Sequence, residues 1–215
     1  MIVPYIAVMI KMVTAGSHAA PVRGRPREFD MEEALDGAIR VFRERGYHAS
    51  SIGDLTDAMG LASGSIYKAF KDKRDIFLAA FDRYTLLRTA QMQQVAGAAK
   101  SARERLRDLF AFYLESSRGV EGRRGCLVVG SAVELAIFDR EVAARVGASL
   151  ANNEALLAGL VREGHLDSSV PRGVDPEETA RVMVYLTQGM RVVGKAGRAP
   201  PDPSITIEIA MKLLT

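Results

Sequence analysis

The sequence predicts an all-α protein. The 215-residue chain repeats one helix-start signature, a side-chain acceptor followed about three residues later by an acid, where free N–H groups and the helix dipole favour negative charge. Apolar residues then recur at helical spacing, and no two alternating segments are joined by a hairpin turn. The signatures are Asp30 with Glu33, Asp72 with Asp75, Ser101 with Glu104, and Asp175 with Pro176 and Glu178.

The first predicted helix begins after Asp30. Gly46 followed by Tyr47 is typical of a helix stop in which glycine takes a positive φ and the next residue packs back on the helix. One face of this helix is charged. The apolar face consists of Leu35, Ala38, Ile39 and Phe42.

Two short helical segments follow in SIGDLTDAMGLASGSIYKAF, Ser51 to Phe70. Ser51 is placed to cap the first segment, and Gly60 supplies the positive φ of a tight turn between two helices. Only Ile66 and Phe70 anchor the second segment, whose other face is small and polar. Such a face suits a helix that enters the major groove of DNA, about 12 Å wide, because small residues allow close approach and polar tips reach base edges.

Cations flank this pair of segments in RGRPR (23–27) and KAFKDKR (68–74). Lys73 falls in the first turn of the next predicted helix, where a docked phosphate would meet free N–H groups. With these features, the chain from Arg23 to about Tyr84 resembles the DNA-binding domain of the TetR family of bacterial transcriptional repressors. The matching motifs are GRPRE, ALDGAIRVFRERGYHASSI, Gly60, GSIYKAF and KDKRDIF, and GCLVVGSAVELA (125–136) resembles a later segment of these regulators.

The resemblance implies a set of DNA contacts. By position, phosphate contacts fall on Ser51 and Tyr67, a backbone anchor on Lys73, and base contacts on Ser63, Ser65 and Lys68. Thr56 and Ala62 depart from the family pattern, which has a small alanine and a capping serine there, so Ser63 has capping as an alternative role. Solvation is the alternative for the cations, and a half-buried core position for Tyr67. The predicted DNA-binding residues are Arg25, Arg27, Ser51, Ser63, Gly64, Ser65, Tyr67, Lys68, Lys71 and Lys73.

The chain after residue 75 is predicted to continue as helices. CLVVG (126–130) and VMVYL (182–186) are predicted as buried helix because hairpin turns do not bound them, and GKAGRAPPDP (194–203) as a loop before the last helix. We therefore expect a helix-turn-helix DNA-binding domain at 23–75 and a larger helical ligand-binding and dimerisation domain at 76–215. Residues 1–22 are expected to form a flexible arm, with an upstream start codon or a signal peptide as alternatives.

The resemblance also implies a small-molecule effector, of unknown identity, and no cofactor. Core packing is the alternative for each predicted ligand contact. Cys126 follows Arg123 and Arg124, which would lower the pKa of a redox-sensing thiol, whereas the apolar run after it favours a buried, unreactive one. The predicted ligand contacts are Phe81, Tyr84, Phe112, Tyr113, Cys126, Met183 and Gln188.

The last two predicted helices, 176–195 and 204–214, carry more apolar residues than one buried face requires. This excess predicts a homodimer through these helices, which would present two recognition helices to a pseudo-palindromic operator. The alternative is that both helices only close the core of one chain.

Composition limits the other function classes. A net charge of +3, one cysteine and three histidines argue against a disulfide framework and a zinc site, and favour a reducing cytoplasm. Ser65 and Lys68 fit the Ser-x-x-Lys pattern of some acyl-transfer enzymes, but the companion motifs are missing, so no catalytic function is predicted. The sequence thus predicts a DNA-binding regulator, a repressor released by a ligand if it follows the family. The alternative is a helical protein-interaction module that does not bind DNA.

Overall fold

The computed structural model describes residues 30–98 and 100–215. Within these ranges every regular element is a helix, so the all-α prediction is confirmed, and none of the helices is long and apolar enough to cross a bilayer. The elements in chain order are α1 (Met31–Arg45), α2 (Ile52–Met59), α3 (Ser63–Ala69), α4 (Lys73–Ala96), α5 (Ala102–Glu115), α6 (Gly119–Arg124), α7 (Leu127–Glu134), α8 (Arg140–Leu166), α9 (Pro176–Lys195), α10 (Ser204–Ala210) and a final 3₁₀ turn (Met211–Leu214).

The helix α1 packs against both α2 and α4, and α3 packs against α2. Gly37 lets α1 approach α2 closely, because a Cβ atom there would lie 2.1 Å from the carbonyl oxygen of Ala58. Gly46 and Gly60 follow α1 and α2 with φ values of +82° and +65°, which confirms both predicted glycine positions. The large buried side chains of this part are Phe42, Leu55, Met59, Ile66, Phe70, Ile76 and Phe77.

Side-chain caps begin several helices. Ser51 and Ser101 form capping boxes, in which an acid three residues later accepts a hydrogen bond from the N–H of the cap. These caps confirm the predicted starts that fall on them, and one further cap, Asp139, was not predicted. Within the described ranges, the helices with such a cap are α2 (Ser51), α4 (Asp72), α5 (Ser101), α8 (Asp139) and α9 (Asp175).

The 24-residue helix α4 extends from the short helices into the larger core, across the predicted boundary at residue 75. This core forms where α4, α5, α8 and α9 pack together. The run VMVYL lies in α9 and CLVVG lies in α7 apart from Cys126, which precedes that helix, so both runs are helical as predicted. Both helices bury only one face, since Gly130, Val182 and Tyr185 are exposed. Arg103 of α5 donates hydrogen bonds to the carbonyl oxygens of Met211 and Leu214, which attaches the end of the chain.

Candidate nucleic-acid interface and effector cavities

The helix α3 is held by its two apolar anchors. Ile66 and Phe70 are 1% and 8% exposed, which confirms the sequence prediction. Tyr67 is 59% exposed, so its alternative assignment to the core is wrong. Lys68 and Gly64 are exposed as well, and Ser65 is half-buried. The outer face of α3 therefore offers a glycine, a phenol and an ammonium group to a partner.

Packing among the described residues does not require a glycine at position 64. A Cβ atom at this position would meet no atom within 4 Å. Since glycine weakens a helix interior by about 1 kcal/mol relative to alanine, an external partner that approaches closely would explain it. The helix begins after Ala62, which supplies no side-chain cap, and Ser63 is its first residue. The side chain of Ser63 lies outside the described groups.

Thr56 is a buried residue of α2, at the position where the family that the sequence resembles has a smaller alanine. Its hydroxyl group donates to the carbonyl oxygens of Ile52 at 2.9 Å and Gly53 at 2.7 Å. These bonds satisfy the buried polar atom within its own helix. The departure from alanine is therefore accommodated without a partner from α3.

The cations around α3 differ in their availability. Lys68 and Lys71 are exposed, and among the described residues neither forms an ion pair. Arg74 instead lies 2.7 Å from both Asp139 and Glu141, so it belongs to a bridge with the start of α8. The predicted contacts Arg25 and Arg27 lie outside the described residues.

Lys73 binds the loop between α1 and α2. Its Nζ atom donates to the carbonyl oxygens of Tyr47 and Ser50, each at 2.9 Å, and lies 4.4 Å from the centroid of the Tyr47 ring. An ammonium group has three donors, so one N–H remains for a phosphate. Lys73 thus positions the loop that precedes the Ser51 cap, in addition to any contact with DNA.

Glu134, the last residue of α7, holds the same loop from the other side. Its carboxylate accepts hydrogen bonds from the backbone N–H groups of Tyr47 at 2.9 Å and His48 at 2.6 Å. Gly46 makes this approach possible, since a Cβ atom there would lie 2.7 Å from Oε2 of Glu134. The loop between α1 and α2 is therefore fixed by α4 through its carbonyl groups and by α7 through its N–H groups.

The predicted ligand contacts fall into two groups. Tyr84, Tyr113, Cys126 and Gln188 line a cavity of about 30 Å³ together with Arg191. The other three predicted contacts are buried and do not line this cavity or the larger one described below. They are Phe81, Phe112 and Met183, with exposed fractions of 1%, 4% and 0%.

Burial and nearby charges shift the pKa values of Cys126 and of two tyrosines in the small cavity. Burial opposes the charged thiolate, but Arg191, the N–H of Val129 and the hydroxyl of Tyr84 favour it more, so the pKa of the Cys126 thiol is lowered. Burial raises the pKa of Tyr84, and that of Tyr113 to about 12. The expected cause of a lowered thiol pKa was Arg123 and Arg124; the main favourable charge is Arg191, which lies 65 residues further along the chain.

A larger cavity of about 540 Å³ lies between the end of α1, the helix α7 and the end of α9. Its size is within the usual range of small-molecule sites, about 300–1,000 Å³. Apolar side chains form most of the wall, and Arg191 and Cys126 line both cavities. The wall includes Phe42, Tyr47, Phe77, Leu127, Val129, Leu135, Arg191 and Lys195.

Sequence reasoning did not single out Arg191 and Lys195. Arg191 is only 3% exposed and donates to the carbonyl oxygens of Ser116 and, at 3.0 Å, Gly125. A signal was present, because Arg191 is four residues after Thr187 and eight after Met183, and thus in phase with the buried face of α9. A cation at such a position indicates a polar site within the core.

Two family models match the chain. Residues 34–80 match the model described as "Bacterial regulatory proteins, tetR family", and residues 102–201 match the "Tetracyclin repressor-like, C-terminal domain". The first match covers α2, α3 and most of α1, and the second extends from α5 through α9.

Individual relatives agree with the family models. The HTH-type transcriptional repressor ComR of Escherichia coli is 28% identical over 81% of this chain and 84% of its own length. The uncharacterized HTH-type transcriptional regulator YezE of Bacillus subtilis is 36% identical over 56% of this chain and 62% of its own. A solved structure of a cysteine mutant of the TetR family transcriptional regulator CifR, complexed with operator DNA, is 30% identical with a TM-score of 0.78, over 89% of this chain and all of that one. The chain therefore belongs to the TetR family and is a DNA-binding transcriptional regulator.

Proposed function

We propose that this regulator is a homodimeric repressor that leaves a pseudo-palindromic operator when a small molecule binds the part of the chain after residue 75. The outer face of α3 carries the proposal, because Gly64, Tyr67 and Lys68 are exposed while Ile66 and Phe70 hold the helix from inside. Repression is also the activity in the name of ComR. The proposal includes a DNA-binding domain at 23–75, a flexible arm at 1–22 and a cytoplasmic location, and it assigns no catalytic step.

The proposed DNA contacts divide by chemistry. Lys68 and the serines of α3 reach base edges, Gly64 allows the close approach, and the remaining residues bind phosphates. The base contacts are Ser63, Ser65 and Lys68; the phosphate contacts are Ser51, Tyr67, Lys71, Lys73 and, on the arm, Arg25 and Arg27.

Exposed apolar residues on α9 support the proposed dimer. Val182, Tyr185, Leu186 and Val193 are 39%, 66%, 39% and 46% exposed, and their spacing places them along one stripe of the helix. Ile205 and Ile209 of α10 are exposed as well. A two-fold dimer that buries such surfaces would present two recognition helices, which must lie about 34–36 Å apart to enter half-sites separated by one turn of DNA.

The bonds of Glu134 provide a route from effector to DNA. Because Glu134 ends α7 and holds Tyr47 and His48, a ligand that displaces α7 must move the loop before α2 or break these bonds. Either result changes the position of α3 relative to the rest of the chain. Ligand binding is then expected to reduce operator affinity by a coupling free energy of about 1–3 kcal/mol.

The test is a mobility-shift titration on DNA selected by the purified protein from a random pool. Lys68→Ala is expected to weaken binding and relax the base preference at one position. Lys73→Ala should weaken binding on all sequences, and the salt dependence should flatten by about one phosphate contact. Lys212→Ala is the control, because Lys212 is exposed in the final turn of the chain. Failure to select any DNA would contradict the proposal and favour the protein-interaction module.

A further inference from the structure

The 540 Å³ cavity between α1, α7 and α9 combines apolar walls with an excess of positive charge. Phe42 and Phe77 supply aromatic surface, and Leu127 and Leu135 of the α7 region supply aliphatic surface. Gly130 also lines the cavity, and a Cβ atom there would meet no atom within 4 Å, so open space adjoins α7. The apolar part of an organic molecule fits such walls.

Two cations of α9 line this cavity without a carboxylate partner among the described residues. Arg191 donates only to the carbonyl oxygens of Ser116 and Gly125, and its buried Nε atom has no acceptor. Lys195, one helical turn later, donates only to the carbonyl oxygens of Arg43 and Arg124. Arg191 is 3% exposed, and a buried cation that lacks a counter-charge loses hydration without full compensation, so an anion placed beside it is favoured. Lys195 is exposed, so it adds a second positive charge with less loss of hydration.

The other charges of the cavity wall already have partners. Arg43 pairs with Glu121 at 3.0 Å, and Arg45 with Asp54 at 2.6 Å. Glu44 is bound by Arg124, and Glu134 is bound by the loop N–H groups.

The pKa of Lys195 is lowered mainly by loss of hydration. Burial and Arg43 lower this pKa, and they outweigh Glu44 and Glu134, which act in the opposite direction. The ammonium group therefore lies where its hydration is incomplete, although the residue as a whole is exposed.

We propose that this cavity binds a small amphipathic anion, whose carboxylate or phosphate group is received by Arg191 and Lys195 while its apolar body packs beside Phe42 and Phe77. The inference rests on the proposed function, since it identifies the chemical class and the site of the effector. It differs from the sequence prediction, because among the predicted ligand contacts Cys126 alone lines this cavity.

A ligand in this cavity acts close to the DNA-binding elements. Tyr47 lines the cavity and Glu134 forms part of its wall, and these two residues join the α1–α2 loop to α7. An anion that draws Lys195 away from the carbonyl oxygen of Arg43 also releases a bond between α9 and the end of α1. The end of α1 and the loop that follows it then lose one of the bonds that hold them in place.

The probe is 2-naphthoate, titrated into the full-length protein and followed by its own fluorescence, since the chain contains no tryptophan. The neutral control is 2-naphthamide, which has the same ring system, and 2-naphthyl phosphate distinguishes a phosphate from a carboxylate site. We expect at least one of the two anions to bind with a dissociation constant below about 1 mM, and the neutral amide to bind at least about tenfold more weakly. Equal binding of the amide, or no saturation by either anion, would overturn the proposal.

Three variants locate the site. Lys195→Gln should weaken binding of the anion about tenfold, and Gly130→Leu, which extends a side chain into open space, should weaken it without a change of charge. Lys212→Gln, an exposed lysine outside the cavity, should bind as the wild type does. Unchanged binding in both Lys195→Gln and Gly130→Leu would also overturn it. Ligand-free DNA binding is measured on the same samples, so a wild-type protein that binds DNA but neither anion would refute only this inference.

Discussion

Replacement of Glu134 tests whether α7 holds the loop before the DNA-binding helices. In Glu134→Ala the N–H groups of Tyr47 and His48 lose the carboxylate that accepts them at 2.9 and 2.6 Å. Glu134→Gln keeps one carbonyl acceptor and places an amide NH₂ group against the second N–H. The two variants should therefore form a graded series.

The magnitude follows from the two bonds. A hydrogen bond to a charged acceptor contributes about 1.5–3 kcal/mol when buried. The bond to Tyr47 is partly buried and the bond to His48 is exposed, so the first should contribute near the lower limit and the second less. We expect Glu134→Ala to lower the free energy of unfolding by about 2 kcal/mol and Glu134→Gln by about 1 kcal/mol. For a chain of this length, the Ala variant should lose roughly 4–8 °C in Tm.

Urea unfolding at one fixed protein concentration measures both values, and amide hydrogen exchange at His48 reports the loop directly. Glu115→Ala is the matched control. Among the described residues Glu115 forms an ion pair only with Arg118, three positions later, at 3.4 Å, and such surface pairs contribute little. Exchange at His48 should accelerate in the two Glu134 variants and not in the control. Wild-type stability and wild-type exchange in Glu134→Ala would refute the reasoning.

Three further predictions concern packing, acid stability and assembly. Gly37→Ala should destabilise the protein by about 1–2 kcal/mol in urea unfolding, because its Cβ atom would lie 2.1 Å from a backbone oxygen of α2. Gly64→Ala should instead stabilise α3 by up to about 1 kcal/mol and weaken DNA binding. Equal effects of the two substitutions on stability would contradict both predictions. The hydrogen bond from Arg74 holds the pKa of Asp139 at about 2, below its usual value. The stabilisation from this bond is therefore present above about pH 4 and is lost as the pH falls toward 2. The difference in unfolding free energy between wild type and Asp139→Asn should shrink from pH 6 to pH 3, and a constant difference would argue against this reasoning. Tyr185→Asp, at a position that is 66% exposed, should give a monomer with unchanged helix content in sedimentation and circular dichroism, and a stable dimer would exclude this part of α9 from the interface.

Features set by local chemistry could be predicted from the sequence. The cap at Ser51, the positive φ at Gly60 and the anchors Ile66 and Phe70 each depend on residues within a few positions of one another. The same holds for the outer face of α3. Its two apolar anchors lie four positions apart, about one helical turn, so the helical period fixes which side chains face away from them. Local patterns therefore located the DNA-binding elements and their family.

The cavity proposed for the effector could not be predicted in the same way. Lys195 meets the carbonyl oxygen of Arg43 across 152 positions of the chain, and no spacing rule connects them. Phe81, Phe112 and Met183 were expected to line a pocket and lie in the packed interior, because helical periodicity marks a face as buried without saying whether atoms or empty space adjoin it. Their role as ligand contacts stays a prediction.

The loop between α1 and α2 is held in place by hydrogen bonds to its main chain. Glu134 accepts from two backbone N–H groups, and Lys73 donates to two backbone carbonyl oxygens. Every residue type except proline offers the same groups, so the exposed side chain of His48 is open to replacement, in evolution or by design, without loss of the connection. A single substitution of Glu134 or Lys73 would instead remove two of these four hydrogen bonds. The requirement for particular side chains therefore falls on two positions outside the loop.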